Sequence, residues 1–240
     1  MNTLVVEELS DRVVVTLSRE KQRNAIDAEM ISELHQVCAL IEEDPKLLLL
    51  TGQGDHFAGG ADINQLRART RNDALRGINR NLFDRIAALP LPTVAAIRGY
   101  TLGGGAELCY ACDIRIASPT AVFGNPEPGL GIMAAAGASY RLPTLVGVSV
   151  AKQILLGGRT LDADNALRSG LVMDIVEDPL DAAHSLLDRV ARQAPLALKL
   201  TKIILDAPGS QPWADDIAQA VLFETEDKQR RMTAFLEKKK

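Results

Sequence analysis

Two glutamates, Glu107 and Glu127, stand in a stretch otherwise rich in glycine, alanine and aliphatic side chains. Each follows a glycine-bearing turn, Gly103-Gly104-Gly105-Ala106-Glu107 and Gly124-Asn125-Pro126-Glu127. A further turn lies upstream, Phe57-Ala58-Gly59-Gly60-Ala61-Asp62. Glycine lets a backbone bend tightly and approach a ligand closely. The first N–H groups of a helix lack intrahelical acceptors and suit an oxygen that gains negative charge. Ala61 and Gly104 are the donors so placed, and Asp62 suits the start of a helix. Two nearby carboxyls resist double ionisation, so one can accept a proton while the other donates one. The combination is raw material for acid–base chemistry on a carbonyl compound.

Each motif also has a purely architectural explanation. Gly59-Gly60-Ala61-Asp62 could be a strand-to-helix turn that needs small residues, and Gly103-Gly104-Gly105 could serve close helix packing. Glu107 could pair with Arg98, Arg115 or a helix end, because a buried unpaired charge is costly. Asp113 suits a role satisfying nearby backbone or an arginine. His56 fits a surface loop. Gly52-Gln53-Gly54 fails as a dinucleotide fingerprint, since Phe57 stands where the third glycine belongs. Gly103-Gly104-Gly105 lacks the Lys-Ser/Thr ending of a phosphate-binding loop. No convergent histidine and acid spacing marks a metal site. Cys38, Cys109 and Cys112 read as reduced core residues.

The elements that must position these groups follow from periodicity. Val13 to Leu17 and Leu47 to Thr51 read as strands, the second buried in a largely parallel sheet. Ala28 to Glu42 reads as an amphipathic helix presenting Met30, Leu34, Val37 and Ile41, with Asp27 as its cap. A helix is expected over 74–88, stopped by Pro90. Strands follow at 93–97, 113–117 and 121–123, with Glu107 on a short helix over 104–111. Helices are expected at about 133–142, 148–156, 162–169, 179–193 and 195–206, and one or two more over 215–236. Residues 208–212 are the candidate hinge before the last helices.

The chain has 240 residues, is 47% apolar and 24% charged, and carries a net charge of −4. That composition buries a sizeable core in one domain of ordinary to slightly large size. A basic surface for nucleic acid is not expected, as the one basic tract is Lys238-Lys239-Lys240. No apolar run reaches membrane-spanning length and the first residues lack signal-peptide character, so a cytoplasmic location and no membrane partner are expected.

With these motifs in order, the chain closely resembles the enoyl-CoA hydratase/isomerase, or crotonase, family. The match begins with Leu17-Ser18-Arg19 and Arg23-Asn24-Ala25-Ile26 and continues through Phe57 to Ile63, Gly99 to Leu108, Cys112 to Ala117 and Phe123 to Glu127. It extends to Leu155-Leu156-Gly157-Gly158 and Ala234 to Lys238, nearly the whole chain. The resemblance implies an α/β crotonase-like spiral of strand–strand–helix turns with a helical C-terminal region. Residues 1–190 would form the spiral core with the acyl-CoA site. Residues 191–240 would make trimer contacts within the same structural domain, giving a homotrimer or a hexamer of paired trimers.

The resemblance further implies a coenzyme A thioester substrate and no separate cofactor. The oxyanion hole falls on the N–H groups of Ala61 and Gly104. The two acids of the hydratase branch fall on Glu107 and Glu127, which favours reversible hydration of a 2-enoyl thioester. Double-bond isomerisation or other enolate chemistry is the enzymatic alternative, and a non-catalytic acyl-CoA-binding protein is the third. Lys21, Arg23, Ala61, Asp62, Ile63 and Lys238 are the expected contacts to coenzyme A. One stretch departs from the hydratase pattern: Ala134-Ala135-Ala136-Gly137-Ala138-Ser139 replaces a turn with more proline and glycine. Pro128 also stands where an aliphatic residue is frequent.

Overall fold

The computed structural model describes residues 1–207, 209 and 212–237. Its main sheet has six strands in the order β1 (Leu4–Glu8), β2 (Arg12–Leu17), β3 (Leu47–Gly52), β4 (Thr93–Ile97), β6 (Ile114–Ala117) and β9 (Asp174–Ile175). Only the β1–β2 pair is antiparallel; every other pair runs parallel. A second sheet joins β5 (Tyr100–Leu102), β7 (Val122–Gly124) and β8 (Leu161–Asp162).

The apolar run of β3 explains why the main sheet is covered on both sides. Successive strand residues face opposite ways. Leu48 and Leu50 enter the larger core, with Met30, Leu34, Val37 and Ile41 of α1 (Ala28–Glu43). Leu47 and Leu49 enter a smaller core with Ala183 and Leu187 of α8 (Pro179–Ala191). Asp27 caps α1, its carboxylate accepting from the Met30 N–H at 2.8 Å.

The repeat that builds the site is strand, short strand, helix. After β3, Ala58 bridges Thr101 of the second sheet, and the chain enters α2 (Ile63–Ala68). After β4 and β5 comes α5 (Gly104–Tyr110). After β6 and β7 comes a short 3-10 helix at Glu127–Leu130 and then α6 (Ala138–Leu155). This is the expected α/β crotonase-like spiral. Beyond α7 (Ala163–Arg168), β9 and α8, the elements among the described residues are helices: α9 (Pro195–Asp206), α10 (Pro212–Phe223) and α11 (Glu226–Glu237). Among the described residues no helix is long and apolar enough to cross a membrane.

Several expectations need correction. The single helix over 74–88 is two pieces, α3 (Arg71–Arg76) and α4 (Ile78–Ala87), because Gly77 adopts the left-handed conformation between them (φ 61°). The helices expected at about 133–142 and 148–156 are the two arms of α6, separated by the non-helical Gly147 (φ 76°, ψ 154°), and the first arm starts later, at Ala138. Residues 133–137 are not helical; their backbone turns toward Glu107 instead. Strands β1, β5, β8 and β9 were not expected, and the last two are only two residues long. Of the candidate hinge, residues 208, 210 and 211 lie outside the described residues.

Candidate active site

Glu107 sits on the short helix α5, whose every residue is buried. Gly105 explains how that helix gets so close to the first repeat. A β-carbon on it would stand 2.3 Å from the Ala58 carbonyl oxygen. Glu107 is 3% exposed, and its Oε1 accepts from the N–H groups of Ala136 and Ala138 at 2.7 and 3.0 Å. Of its three architectural partners, the helix end is the one present, at the start of α6. Arg98 instead pairs with Asp178, and Arg115 donates to backbone carbonyls. Burial pushes the Glu107 carboxyl up to about 7, against the pull of the Ala138 and Ala136 N–H groups; the nearby Glu127 adds to the rise.

Glu127 opens the 3-10 helix, held between Pro126 and Pro128. Its Oε1 accepts from Asn125 Nδ2 at 3.4 Å, and Asn125 Oδ1 accepts from the buried Tyr110 hydroxyl at 3.1 Å. Among the described residues, Glu127 Oε2 is buried with no hydrogen-bond partner. Burial raises this carboxyl too, opposed by its own backbone and by Asn125. Two carboxyls that both resist ionisation are suited to hold one proton between them.

Positive φ angles at Gly60 (119°) and Gly103 (51°) bring the two turns together. A β-carbon at Gly103 would stand 3.2 Å from Glu127 Oε1. The space beside Gly104 reaches Ala61: a β-carbon there would lie 3.5 Å from the Ala61 nitrogen. Among the described residues neither the Ala61 N–H nor the Gly104 N–H has an acceptor in the chain. A cavity of about 510 Å³ is lined by Ala61, Gly104, Glu107 and Glu127 together. The arrangement can polarise a carbonyl oxygen while two acids reach the carbons beside it.

The remaining expected contacts scatter. Asp62 caps α2 through the Asn64 and Gln65 N–H groups and meets Arg19 at 3.2 Å. Burial opposes its charge, but Gln65, Arg19 and Asn64 together hold it below the usual carboxylate range. A second cavity of about 230 Å³ adjoins the first at Gly59, Ala61 and Ile63, and Asp62 lines it. Arg23 lines it as well, with its guanidinium 5.7 Å from the Tyr100 ring centre. Lys21 lies in a 3-10 helix at Glu20–Gln22 and lines neither cavity. Lys238 falls outside the described residues.

Sequence reasoning missed Asn125, the Ala136 and Ala138 amides, and Asn79. The amides carry no side-chain signal. Asn79 did leave one: it is a polar residue on the apolar face that α4 makes with Leu82, Phe83 and Ile86. Its Oδ1 accepts from Arg69 Nη1 at 2.7 Å.

A family model described as enoyl-CoA hydratase/isomerase matches residues 10–240. The chain belongs to the enoyl-CoA hydratase/isomerase family. This places it among proteins of enoyl-CoA hydratase-type chemistry on acyl-CoA thioesters. It is 38% identical over 256 residues to the short-chain-enoyl-CoA hydratase of Clostridium acetobutylicum, covering 100% of this chain and 97% of that one. It is 35% identical over 253 residues to the crotonyl-CoA hydratase of Syntrophomonas wolfei, covering 99% and 96%. The crystal structure of enoyl-CoA hydratase from Bacillus anthracis superposes with a TM-score of 0.93 at 30% identity, over 98% of this chain and 96% of that one.

Proposed function

We propose that this member is a hydratase of the two-glutamate branch, adding water reversibly across the double bond of a 2-enoyl-CoA thioester. The supporting observation is that Glu107 and Glu127 line one cavity with two N–H groups that have no acceptor among the described residues. The acyl oxygen sits between Ala61 and Gly104 and gathers negative charge as water attacks. One such donor typically contributes about 3 kcal/mol to the transition state. Water bonds through its oxygen to the β-carbon and gives a proton to Glu107. The double-bond pair moves into the enolate, which collapses as the α-carbon takes a proton from Glu127. The two carboxyls thereby exchange which one is protonated, and the addition consumes one water. Burial raises the affinity of both carboxyls for protons, which suits such sharing.

The nucleotide end of the substrate lies toward Arg23 and Lys21, past the backbone of Asp62 and Ile63, with Lys238 contributed from the C-terminal end. Coenzyme A belongs to the substrate, and no separate cofactor takes part. Residues 1–190 form the catalytic spiral and 191–240 the subunit contacts of a trimer or of paired trimers. Helices α10 and α11 support this assembly: they bury no residue, and Ile217, Val221, Phe223 and Met232 are all exposed.

The test supplies 2-enoyl and 3-enoyl thioesters in oxygen-labelled water. Label at the β-carbon of the product, lost in Glu107→Ala and Glu127→Ala, is the expected result. A double-bond shift without label would replace hydration by isomerisation, and binding without turnover would leave an acyl-CoA-binding protein.

A further inference from the structure

The main cavity is not uniformly apolar. Leu66, Ile78 and Met133 line it, but so do Arg69, Arg71 and Asn79. Asn79 is only 8% exposed. Its amide is oriented by Arg69, whose N–H occupies Oδ1. The Nδ2 donor therefore points away from the guanidinium. It lies 3.9 Å from where a β-carbon on Gly104 would stand, and no acceptor in the chain takes it among the described residues. Neither Arg69 nor Arg71 has a carboxylate within ion-pair distance among the described residues. Asp73 lines the same cavity and its charge is felt by Arg69, but its carboxylate accepts from Thr70 and lies 3.9 Å from Arg76. Among the described residues, a half-buried guanidinium with no ion-pair partner and a buried amide Nδ2 with no acceptor leave room for an acceptor from the ligand.

The two cavities give the substrate a direction. They meet at Ala61, with Arg23 on one side and Arg69 and Asn79 on the other. A thioester held at Ala61 and Gly104 with its nucleotide toward Arg23 extends its acyl chain toward Arg69.

We infer that Arg69 and Asn79 determine specificity, selecting short acyl chains that end in a carboxylate. The inference rests on the hydratase reading for the orientation of the substrate. The planar guanidinium matches a carboxylate with two parallel N–H bonds, and Arg71 adds positive charge at the same end. A methyl-terminated chain would leave these donors unsatisfied, which is how hydrogen-bonding sites reject apolar analogues.

Two 2-enoyl-CoA thioesters of equal chain length, one ending in methyl and one in carboxylate, test this by their kcat/KM ratio. The expected ratio favours the carboxylate by about tenfold or more in the unaltered protein and falls toward unity in Arg69→Met and Asn79→Leu. A ratio favouring the methyl-terminated chain, or one unchanged in Arg69→Met, would overturn the inference. Should Asn79→Leu fail to fold, Arg69→Met decides alone, since Arg69 is partly exposed. If neither thioester is turned over, the hydratase reading fails, and calorimetry with the saturated pair decides selectivity separately. Tighter binding of the carboxylate thioester, lost in Arg69→Met, supports the inference; equal binding, or none, overturns it.

Discussion

Replacing Glu107 with glutamine should cripple hydration and yet stabilise the protein, by an amount that depends on pH. The glutamine keeps an oxygen for the Ala136 and Ala138 N–H groups but carries no charge. In the folded protein burial pushes the Glu107 carboxyl from 4.5 up to about 7. Below pH 4.5 the group is protonated in both folded and unfolded chains, and stability is undiminished. As the pH rises through 4.5, the unfolded chain releases its proton while the folded chain retains it, so stability falls until the folded group ionises near 7. At about 1.4 kcal/mol per pH unit, the full loss is about 3 kcal/mol. The glutamine variant escapes it. Urea midpoints followed by circular dichroism should therefore coincide for the two proteins near pH ~4 and separate by about 3 kcal/mol above pH ~8. Loss of enoyl absorbance, measured in parallel, should show hydration reduced by about a hundredfold or more. A stability gap that does not change with pH, or a variant less stable at alkaline pH, would refute the account of Glu107 as a carboxyl held against its preference to ionise.

Neighbouring glycines should fail in different ways. Gly104→Ala puts a methyl in ordinary contact with Ala61 and Asn79, so the fold should survive while kcat/KM drops by about 10²-fold as the oxyanion space fills. Gly105→Ala drives a methyl into the Ala58 backbone and β-carbon at 2.3 and 2.6 Å, so soluble yield and melting temperature should fall sharply. Asn125→Ala removes the amide that favours ionised Glu127; the limb of the pH–rate profile governed by Glu127 should move to higher pH. Asp27→Ala removes the α1 cap and should lower stability by about 1 kcal/mol or somewhat more, measured by denaturant midpoint, with little change in kcat.

Local pattern determined a good deal of this protein. The apolar run at 47–50 could only be a strand buried on both faces, and the spacing of Met30, Leu34, Val37 and Ile41 required a helix with one buried side. Asp27 announced where that helix starts. The glycine turns marked where backbone would come close to something, because no other residue tolerates such conformations or such proximity. Two-residue strands such as β8 and β9 carry too little periodicity to read; only their partners define them. The break at Gly77 was hidden because a glycine inside a helical pattern is often tolerated.

Tertiary structure alone decided which architectural role each acid filled. Sequence offered Glu107 two arginines and a helix end, and the fold chose the start of α6, whose distance from α5 depends on how three repeats stack. It likewise spent Asp62 on capping α2, turned Asn79 into a cavity wall, and joined the Ala61 and Gly104 turns. These are contacts between segments far apart in the chain. Their distances follow from the register of the parallel sheet and the close approach at Gly105, neither of which is encoded by the neighbours of any one residue.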